Sequence, residues 1–304
     1  MTPPIDLLSS SNWTDYELLD SGDGQKLERF GPYKFVRPEV QALWSQALPS
    51  RDWQSAQAVF QPTGEESGGH WKFIQPIEEK WEMDYPLGTR EGQRDLRFWV
   101  QTTPGRHLGV FPEGAPNWDW MVEKINVSGS HSPVSVLNLF GYTGLASLAA
   151  AAAGGRVTHV DASKKSITWA RENQALSGLT EKPIRWIVDD ALKFVEREGR
   201  RGSKYDGILL DPPKFGRGPK GEVWEVYRSL PPLLRACRTV LSEKLIFVVL
   251  TIYAVKLPAI HAYAALEEML QGLGGKLECG ELVTQEKSAG RLLSQAVYAR
   301  WSSS

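Results

Sequence analysis

The segment from Pro133 to Asp161, PVSVLNLFGYTGLASLAAAAAGGRVTHVD, constrains the fold of this chain more than any other. Val134, Val136, Leu137 and Leu139 form an apolar run that breaks at Phe140-Gly141-Tyr142-Thr143-Gly144. An alanine-rich stretch of helical character follows, and a second apolar run, Arg156 to Val160, stops on Asp161. Strand, glycine turn, helix, and strand ending on an acid make the opening βαβ unit of a nucleotide-binding sheet. Gly141 and Gly144 are expected to let the backbone approach a ligand, and the Asp161 carboxylate to lie beside a ribose diol. The loop reads G-x-x-G, not the G-x-G-x-x-G that cradles a pyrophosphate. It points to an adenosine cofactor without a pyrophosphate, S-adenosylmethionine (SAM).

Downstream the alternation continues. Strand patterns at 134–139, 156–160, 183–188, 205–210 and 245–251 alternate with helix patterns at about 143–153, 164–177, 190–198, 224–240 and 258–272. Such alternation predicts a parallel sheet with helices on both faces. The end departs from it: Lys276 to Thr284 and Ser294 to Trp301 read as two strands joined by the polar stretch Gln285 to Arg291. Five βα units and a closing hairpin predict an α/β fold, the Rossmann-like seven-stranded sheet of a class I SAM-dependent methyltransferase with its last strand antiparallel. A six-stranded dehydrogenase sheet fits less well.

The first hundred residues have another character. Runs such as Tyr16-Leu19, Tyr33-Val36, Ala58-Phe60, Trp71-Ile74, Trp81-Tyr85 and Leu96-Val100 are divided by turn clusters at Ser21-Gly22-Asp23-Gly24, Pro62-Thr63-Gly64 and Gly88-Thr89. One helix is expected from Pro38 to Leu48, and another from about Asn117 to Ile125. The division predicted is a β-rich accessory domain over 1–105, with a possible role in substrate recognition, and a methyltransferase domain over 106–304. Eight of the twelve tryptophans fall before residue 121, where they can fill a small β core or stack on unpaired bases.

Charge divides in the same way. Residues 1–100 carry 10 Lys/Arg against 16 Asp/Glu, and residues 101–304 carry 25 against 20, so a polyanion would be drawn to the C-terminal part. No apolar run approaches the ~20 residues of a membrane span. The N-terminus, MTPPIDLLSS, has no basic region followed by an apolar core. A cytoplasmic protein without membrane contact is expected. Cys237 and Cys279 form no metal-ligand spacing and no disulfide framework.

Further acidic stations follow Asp161 along the sheet edge. Asp189-Asp190-Ala191 follows the third strand, and Asp190 is favoured to accept from an adenine amino group, a role compatible with capping the next helix. Asp211 ends the fourth strand in Asp211-Pro212-Pro213-Lys214-Phe215, where the prolines remove donors and leave carbonyls available. In-order placement, strand–GxxG–helix, strand–Asp, strand–DDA, strand–DPP, carries the SAM reading.

Here the sequence resembles the SAM-dependent methyltransferases related to the bacterial 23S rRNA cytosine-C5 enzymes. LNLFGYTG, the Asp161 and Asp190 positions and DPPKFGRG match that family's motifs over about residues 100–304. HLGVFPEGAPNWDWM resembles its FxExxxNW-type lead-in, which in relatives lies beside the cofactor, and GQKLERFGPYKFVRP resembles a subgroup's accessory domain. The resemblance implies ribosomal RNA as substrate, and Phe111, Glu113 and Trp118 as cofactor-pocket residues. With the strand ends and the glycine loop, the cofactor set becomes Phe111, Glu113, Trp118, Asn138, Phe140, Gly141, Tyr142, Thr143, Gly144, Asp161, Ala162, Ser163, Asp190, Ala191 and Asp211.

The chain departs from the family at one position. C5 methylation of cytosine needs a thiolate that adds at C6. In the cytosine enzymes that cysteine lies just past the fifth strand in a Thr-Cys-Ser type sequence; here the stretch is Leu250-Thr251-Ile252-Tyr253-Ala254. Cys237 and Cys279 read as small buried hydrophobes in a helix and a late strand. The chain thus reads as a subgroup lacking the catalytic cysteine. What remains is in-line attack of a heteroatom on the SAM methyl. The catalytic set is Asp211, Pro212, Pro213, Lys214 and Tyr253: Asp211 and the Pro212 carbonyl hold an exocyclic amine, and Tyr253 stacks on a base or polarises it.

RNA contact is expected from Lys214, Arg217 and Lys220 in the glycine-rich loop after the fourth strand, with a second basic cluster at Arg197, Arg200, Arg201 and Lys204. A methyltransferase for a small molecule or a protein side chain, and a non-catalytic SAM- and RNA-binding protein, stay open alongside this reading.

Overall fold

The computed structural model describes residues 3–63, 68–87, 95–129, 132–253 and 257–303. The N-terminal part contains β1 (Ile5–Leu8), β2 (Tyr16–Gly22), β3 (Gln25–Phe30), β4 (Tyr33–Pro38), α1 (Ser50–Trp53), β5 (Ala58–Pro62), β6 (Gly69–Phe73), β7 (Trp81–Tyr85) and β8 (Leu96–Val100). A single 3-10 turn, Pro112–Gly114, leads into α2 (Ala115–Val127). Then come β9 (Ser135–Leu139), α3 (Leu145–Ala152), β10 (Arg156–Asp161), α4 (Lys164–Leu176), β11 (Ile184–Val188), α5 (Ala191–Arg200) and β12 (Gly207–Leu210). The chain closes with β13 (Phe215–Arg217), β14 (Val223–Glu225), α6 (Val226–Thr239), β15 (Phe247–Ile252), α7 (Ala259–Met269), β16 (Lys276–Gln285) and β17 (Leu292–Ser302).

The large sheet has the order β1-β16-β17-β15-β12-β9-β10-β11. The central strands β9, β12 and β15 are buried almost throughout, as their unbroken apolar runs demand of strands covered on both faces. Neighbours are parallel except β17, which runs antiparallel to both β15 and β16. The expected α/β sheet of a class I methyltransferase is therefore present, and β1 extends it to eight strands. Gly280 makes that extra pairing possible: a Cβ there would lie 1.8 Å from the Asp6 carbonyl oxygen. The first strand thus joins the large sheet, although it precedes the accessory stretch in the chain.

Strands β2 to β6 form a separate five-stranded sheet, antiparallel apart from the β4–β5 pair, and β7 and β8 form a hairpin beside it. The helix expected from Pro38 to Leu48 does not form. That segment instead docks on the β2–β3 turn, where Asp23 N–H donates to the Trp44 carbonyl (2.7 Å) and Gly24 N–H to the Ala42 carbonyl (3.0 Å). Val40 and Leu43, which would have made the apolar face, are exposed; tertiary backbone bonds override the local pattern. The turn expected at Gly88-Thr89 lies outside the described residues.

Two cores flank the large sheet. One joins its α2 and α3 face to the N-terminal strands, with Phe30, Phe35, Met83, Phe98, Leu148 and Phe247 fully buried. The other lies under α5, α6 and α7. Trp53, Trp81 and Trp118 are buried, and Trp13 and Trp71 pack against the first core, so these tryptophans fill the interior. The polar stretch joining β16 to β17 is docked rather than free. Lys287 and Ser288 N–H groups donate to the Leu18 and Leu19 carbonyls of β2, and Ser288 Oγ donates to Asp20. Among the described residues no helix is long and apolar enough to cross a membrane.

Candidate functional site

The carboxyl ends of β9, β10, β11, β12 and β15 meet at one edge of the sheet, where open α/β sheets bind ligands. Two adjoining chambers open there. The inner one, about 90 Å³, is walled by the Pro112–Gly114 turn, the start of α2, the ends of β9, β12 and β15, and Leu282 and Ala296 from the closing hairpin. The outer cleft, about 630 Å³, runs from Asp161, Ala162, Ser163, Asp190 and Ala191 to Pro213, Lys214 and Arg217. Phe111, Phe140, Tyr142, Asp211 and Tyr253 line both.

The glycine loop between β9 and α3 is held in a tense conformation. Phe140 (φ 59°) and Tyr142 (φ 50°) are left-handed without being glycine, a geometry that costs of order 1–3 kcal/mol per residue and persists only when its surroundings fix it. Tyr142 N–H donates to Asp161 Oδ2 (2.9 Å), the Thr143 hydroxyl to the Gly109 carbonyl (2.6 Å), and Asn173 Nδ2 to the Thr143 carbonyl (2.9 Å). The glycines are also required by packing, and Gly141 lines the inner chamber as well. A Cβ on Gly141 would lie 2.3 Å from the His159 ring, and one on Gly144 (φ 90°) would lie 2.8 Å from the Ala170 Cβ. Packing of the loop on β10 and α4 requires both, and Gly144 lines neither chamber. Beneath the loop, Asn138 donates to Ser147 Oγ (2.9 Å), which meets His159 Nδ1 at 2.9 Å. Burial holds that imidazole neutral, its pKa lowered to about 3.

Asp161 ends β10 with Oδ1 accepting from Ser163 N–H (2.8 Å), and burial raises its carboxyl above the usual range. Ser163 caps α4 through Ser166 N–H. Asp190 caps α5 through Lys193 N–H (2.9 Å) and faces the outer cleft. Its neighbour Asp189 also reaches the cleft, but its carboxylate is committed to Arg197. Of the adjacent acids, Asp190 has the freer carboxylate: it accepts from Lys193 N–H and forms no ion pair among the described residues.

Asp211 stands at the seam of the two chambers. Burial, with the charge of Glu113 second, pushes its carboxyl up to about 7. Among the described residues its Oδ1 is buried with no hydrogen-bond partner. Burial likewise raises Glu113, which lines the inner chamber. A buried carboxylate oxygen without a donor is costly until a ligand supplies one. A cationic ligand between Glu113 and Asp211 meets that need, so the residues present fit SAM, whose methionine end carries an ammonium and a sulfonium.

Aromatic rings close the seam. Phe111 lies 5.5 Å from Tyr253 at 33° and 5.6 Å from Tyr142. Burial, then the charge of Asp211, raises the Tyr253 phenol well above its ordinary pKa. Trp118 both lines the inner chamber and packs edge-on against Trp13 and Tyr85. Pro212 is buried and lines neither chamber.

The stretch after Asp211 is a hairpin, not the open loop expected. β13 pairs antiparallel with β14, and Trp224 pins it, donating to the Pro213 carbonyl (2.6 Å) and packing on Phe140 at 4.7 Å. Lys214 and Arg217 line the outer cleft, whereas Lys220 does not. The second basic cluster is divided. Lys204 shares a hollow with Ser135, Arg156 and Ile184 at the strand starts, the opposite edge of the sheet. Arg197 and Arg201 are paired with Asp189 and Glu198.

Several lining residues carried no sequence signal: Thr251, Leu282 and Ala296 in the inner chamber, Thr103 and Arg106 in the outer. Asn117 and His107, both within HLGVFPEGAPNWDWM, line the inner and outer chambers together with the expected Phe111. Asn117 bridges Thr251 Oγ1 (3.3 Å) and Arg300.

With this geometry in view, comparison with solved structures is decisive. A SAM-dependent methyltransferase from Agrobacterium tumefaciens superimposes with a TM-score of 0.90 at 46% identity, over 99% of this chain and 96% of that one. The chain belongs to the SAM-dependent methyltransferases. A Streptococcus mutans protein described as a SAM-dependent methyltransferase shares the fold, with a TM-score of 0.70 at 19% identity over 96% of this chain and 76% of that one. The family described as Conserved hypothetical protein 95 matches residues 120–225 of the methyltransferase. Among curated relatives, the ribosomal RNA large subunit methyltransferase K/L of Shewanella frigidimarina is 39% identical over 110 residues, 36% of this chain and 15% of its own length. That of Hahella chejuensis is 34% identical over 152 residues, 49% of this chain and 20% of its own. The methyltransferase therefore matches a fifth or less of the length of these two relatives.

Proposed function

We propose that this methyltransferase transfers the SAM methyl group to a nitrogen or oxygen of a base in ribosomal RNA. The observation that carries the reading is the buried Oδ1 of Asp211, without a hydrogen-bond partner among the described residues, at the seam between the two chambers that Tyr253 also lines. The names of the curated relatives, and the cationic rim that Lys214 and Arg217 give the outer cleft, support RNA as the acceptor.

In this reading Asp161 accepts from the ribose hydroxyls, Asp190 from the adenine amino group, and Glu113 faces the methionine ammonium. Phe111, Trp118, Asn138, Phe140, Tyr142, Thr143, Ala162, Ser163 and Ala191 complete the cofactor walls, while Gly141 and Gly144 set the loop that carries them. SAM supplies a methyl group already activated on a sulfonium. Asp211, an acceptor with a pKa near the working pH, holds the acceptor's N–H or O–H and takes its proton as the methyl group moves. Tyr253 stacks on the base, with Pro212, Pro213 and Lys214 forming the turn beside it.

Heteroatom chemistry is favoured over cytosine C5 by the cysteines. Cys237 is fully buried in α6, its thiol raised to about 12, and Cys279 Sγ lies 3.8 Å from the Pro4 carbonyl oxygen on the edge of the sheet. Neither lines the cleft, so no thiolate stands ready to add to a base. The N-terminal sheet serves substrate recognition in this proposal. Mass spectrometry of ribosomal RNA nucleosides from a deletion strain and its parent tests it. Loss of one methylated nucleoside that is not 5-methylcytidine is expected; an unchanged nucleoside profile overturns the RNA reading.

A further inference from the structure

We infer that the outer cleft is a clamp for a single RNA strand, gripped by Arg106 on one rim and by Phe215 with Arg217 on the other. The inference rests on the RNA reading and adds the form of RNA that fits and the groups that hold it.

The first rim is the connector between β8 and the Pro112–Gly114 turn. Arg106 is exposed and lines the cleft, and among the described residues its guanidinium has no ion-pair partner. Yet the backbone beneath it is fixed. Arg37 of β4 donates to the Arg106 carbonyl (3.2 Å), and Arg37 itself is anchored by two bonds to the buried Glu28, each 2.7 Å. Trp71 Nε1 of β6 donates to the Thr103 and Gly105 carbonyls at 2.9 and 3.0 Å. A free cation on an immobilised loop is a preorganised anion contact, because little backbone entropy remains to be lost on binding.

The second rim is the β13–β14 hairpin. Its register places Trp224 opposite Gly216, and alternation sends Phe215, Arg217 and Val223 to the face away from the buried Trp224 ring. Phe215 is 56% exposed at the mouth of a cleft, beside an arginine. An aromatic face next to a cation is the combination that holds unpaired bases and their backbone.

Between the rims, acids direct the path. Asp161, Asp189 and Asp190 occupy the cofactor end of the same cleft and repel phosphate. A phosphodiester chain is confined to the cationic rims, and one base turns inward to Tyr253. Asp211 and Tyr253 lie at the inner end of the cleft, where a base still stacked in a duplex cannot reach, so the target must be unpaired or turned out of its helix.

The test uses the full chain, tritiated SAM and ribosomal RNA from the deletion strain. Arg106→Glu and Phe215→Ala are each expected to raise the KM for RNA about tenfold. The dissociation constant for SAM and the melting temperature should stay unchanged. Arg106→Gln should lower the slope of log affinity against log salt by about one unit, and Arg106→Lys should restore it. A labelled single strand of about 12 nucleotides should bind more tightly than the same sequence in a duplex. If unaltered protein methylates the RNA while both variants keep its KM, or if the duplex binds as well as the single strand, the clamp is wrong and the RNA reading survives. If unaltered protein transfers no methyl group to that RNA, the RNA reading falls and the clamp falls with it.

Discussion

The Asp161 carboxylate accepts the Tyr142 backbone N–H at 2.9 Å, which ties the end of β10 to the left-handed residue of the glycine loop. One side chain therefore shapes the cofactor loop and offers an acceptor to the cofactor's ribose in the proposed site. Asp161→Ala is expected to weaken SAM binding by at least about tenfold and to lower stability by about 1–2 kcal/mol, the cost of a lost charge-assisted bond. Titration calorimetry and thermal melts separate the two effects. SAM affinity unchanged in Asp161→Ala contradicts the cofactor assignment.

Asp211 gives the site a pH signature. Its folded value, about 7, lies above the ordinary carboxyl value near 4, so the stabilising form is the protonated one. That stability is fully present below pH ~4 and is lost as the pH rises through ~7. Melting of the ligand-free protein should fall over this window, and Asp211→Asn should flatten that fall and stabilise the protein at pH 8 by on the order of 2 kcal/mol. Function runs the other way. Methyl transfer needs the ionised form, so kcat/KM for SAM, which reports the ligand-free site, should rise with pH through ~7, while Asp211→Asn loses about 10² to 10⁴-fold in rate. A wild-type kcat/KM for SAM that is flat between pH 6 and 8 excludes Asp211 as the proton acceptor.

Gly141 tests why the loop has its glycines. The His159 ring fills the space where a Cβ would stand, at 2.3 Å. Gly141→Ala should destabilise the protein by about 1–3 kcal/mol through overpacking. His159→Ala opens a cavity under the loop and should cost about 2 kcal/mol on its own. Combined, the two should cost less than their sum, because the new methyl group enters the vacated space. Denaturant melts of all four proteins measure the coupling. Strict additivity would show that the His159 ring is not what excludes a side chain at Gly141.

The acidic stations were legible because strand ends in an α/β sheet must converge. Once Asp161, Asp190 and Asp211 each followed an apolar run, the topology brought them to one edge. Arg106 was not legible as a site residue, since a connector reveals its place only through the Arg37 and Trp71 bonds that fold it back. Leu282 and Ala296 enter the inner chamber from a hairpin more than 130 residues beyond the glycine loop, with no local signature of it. The basic stretch after Asp211 looked like a loop because glycine and proline dominate it. Trp224, hidden in what read as a helix start, pins it as a hairpin. The Pro38 to Leu48 segment had helical spacing, but local pattern says nothing of the carbonyls it offers to Asp23 and Gly24.

The Glu28–Arg37 pair couples the N-terminal sheet to the cleft, and its energetics can be separated from its geometry. Glu28 is 1% exposed; it takes both Arg37 bonds and the Tyr16 hydroxyl at 2.9 Å. Burial works against its ionised form, but Arg37 and Lys26 prevail and hold its carboxyl below the usual range. The stability this pair contributes is therefore present above pH ~4.5 and lost as the pH falls through the lowered value. Arg37→Ala strands a buried carboxylate and should cost about 3–5 kcal/mol. Replacing both partners, as Glu28→Met with Arg37→Leu, together with Tyr16→Phe so that no buried hydroxyl loses its acceptor, should recover much of that stability, because apolar side chains need no compensation. It cannot restore the bond to the Arg106 carbonyl. The triple variant should therefore melt near the wild-type temperature yet keep a raised KM for RNA, with SAM affinity intact. Full recovery of both stability and KM would show that the connector holds its shape without the Arg37 bond, on the Trp71 bonds alone.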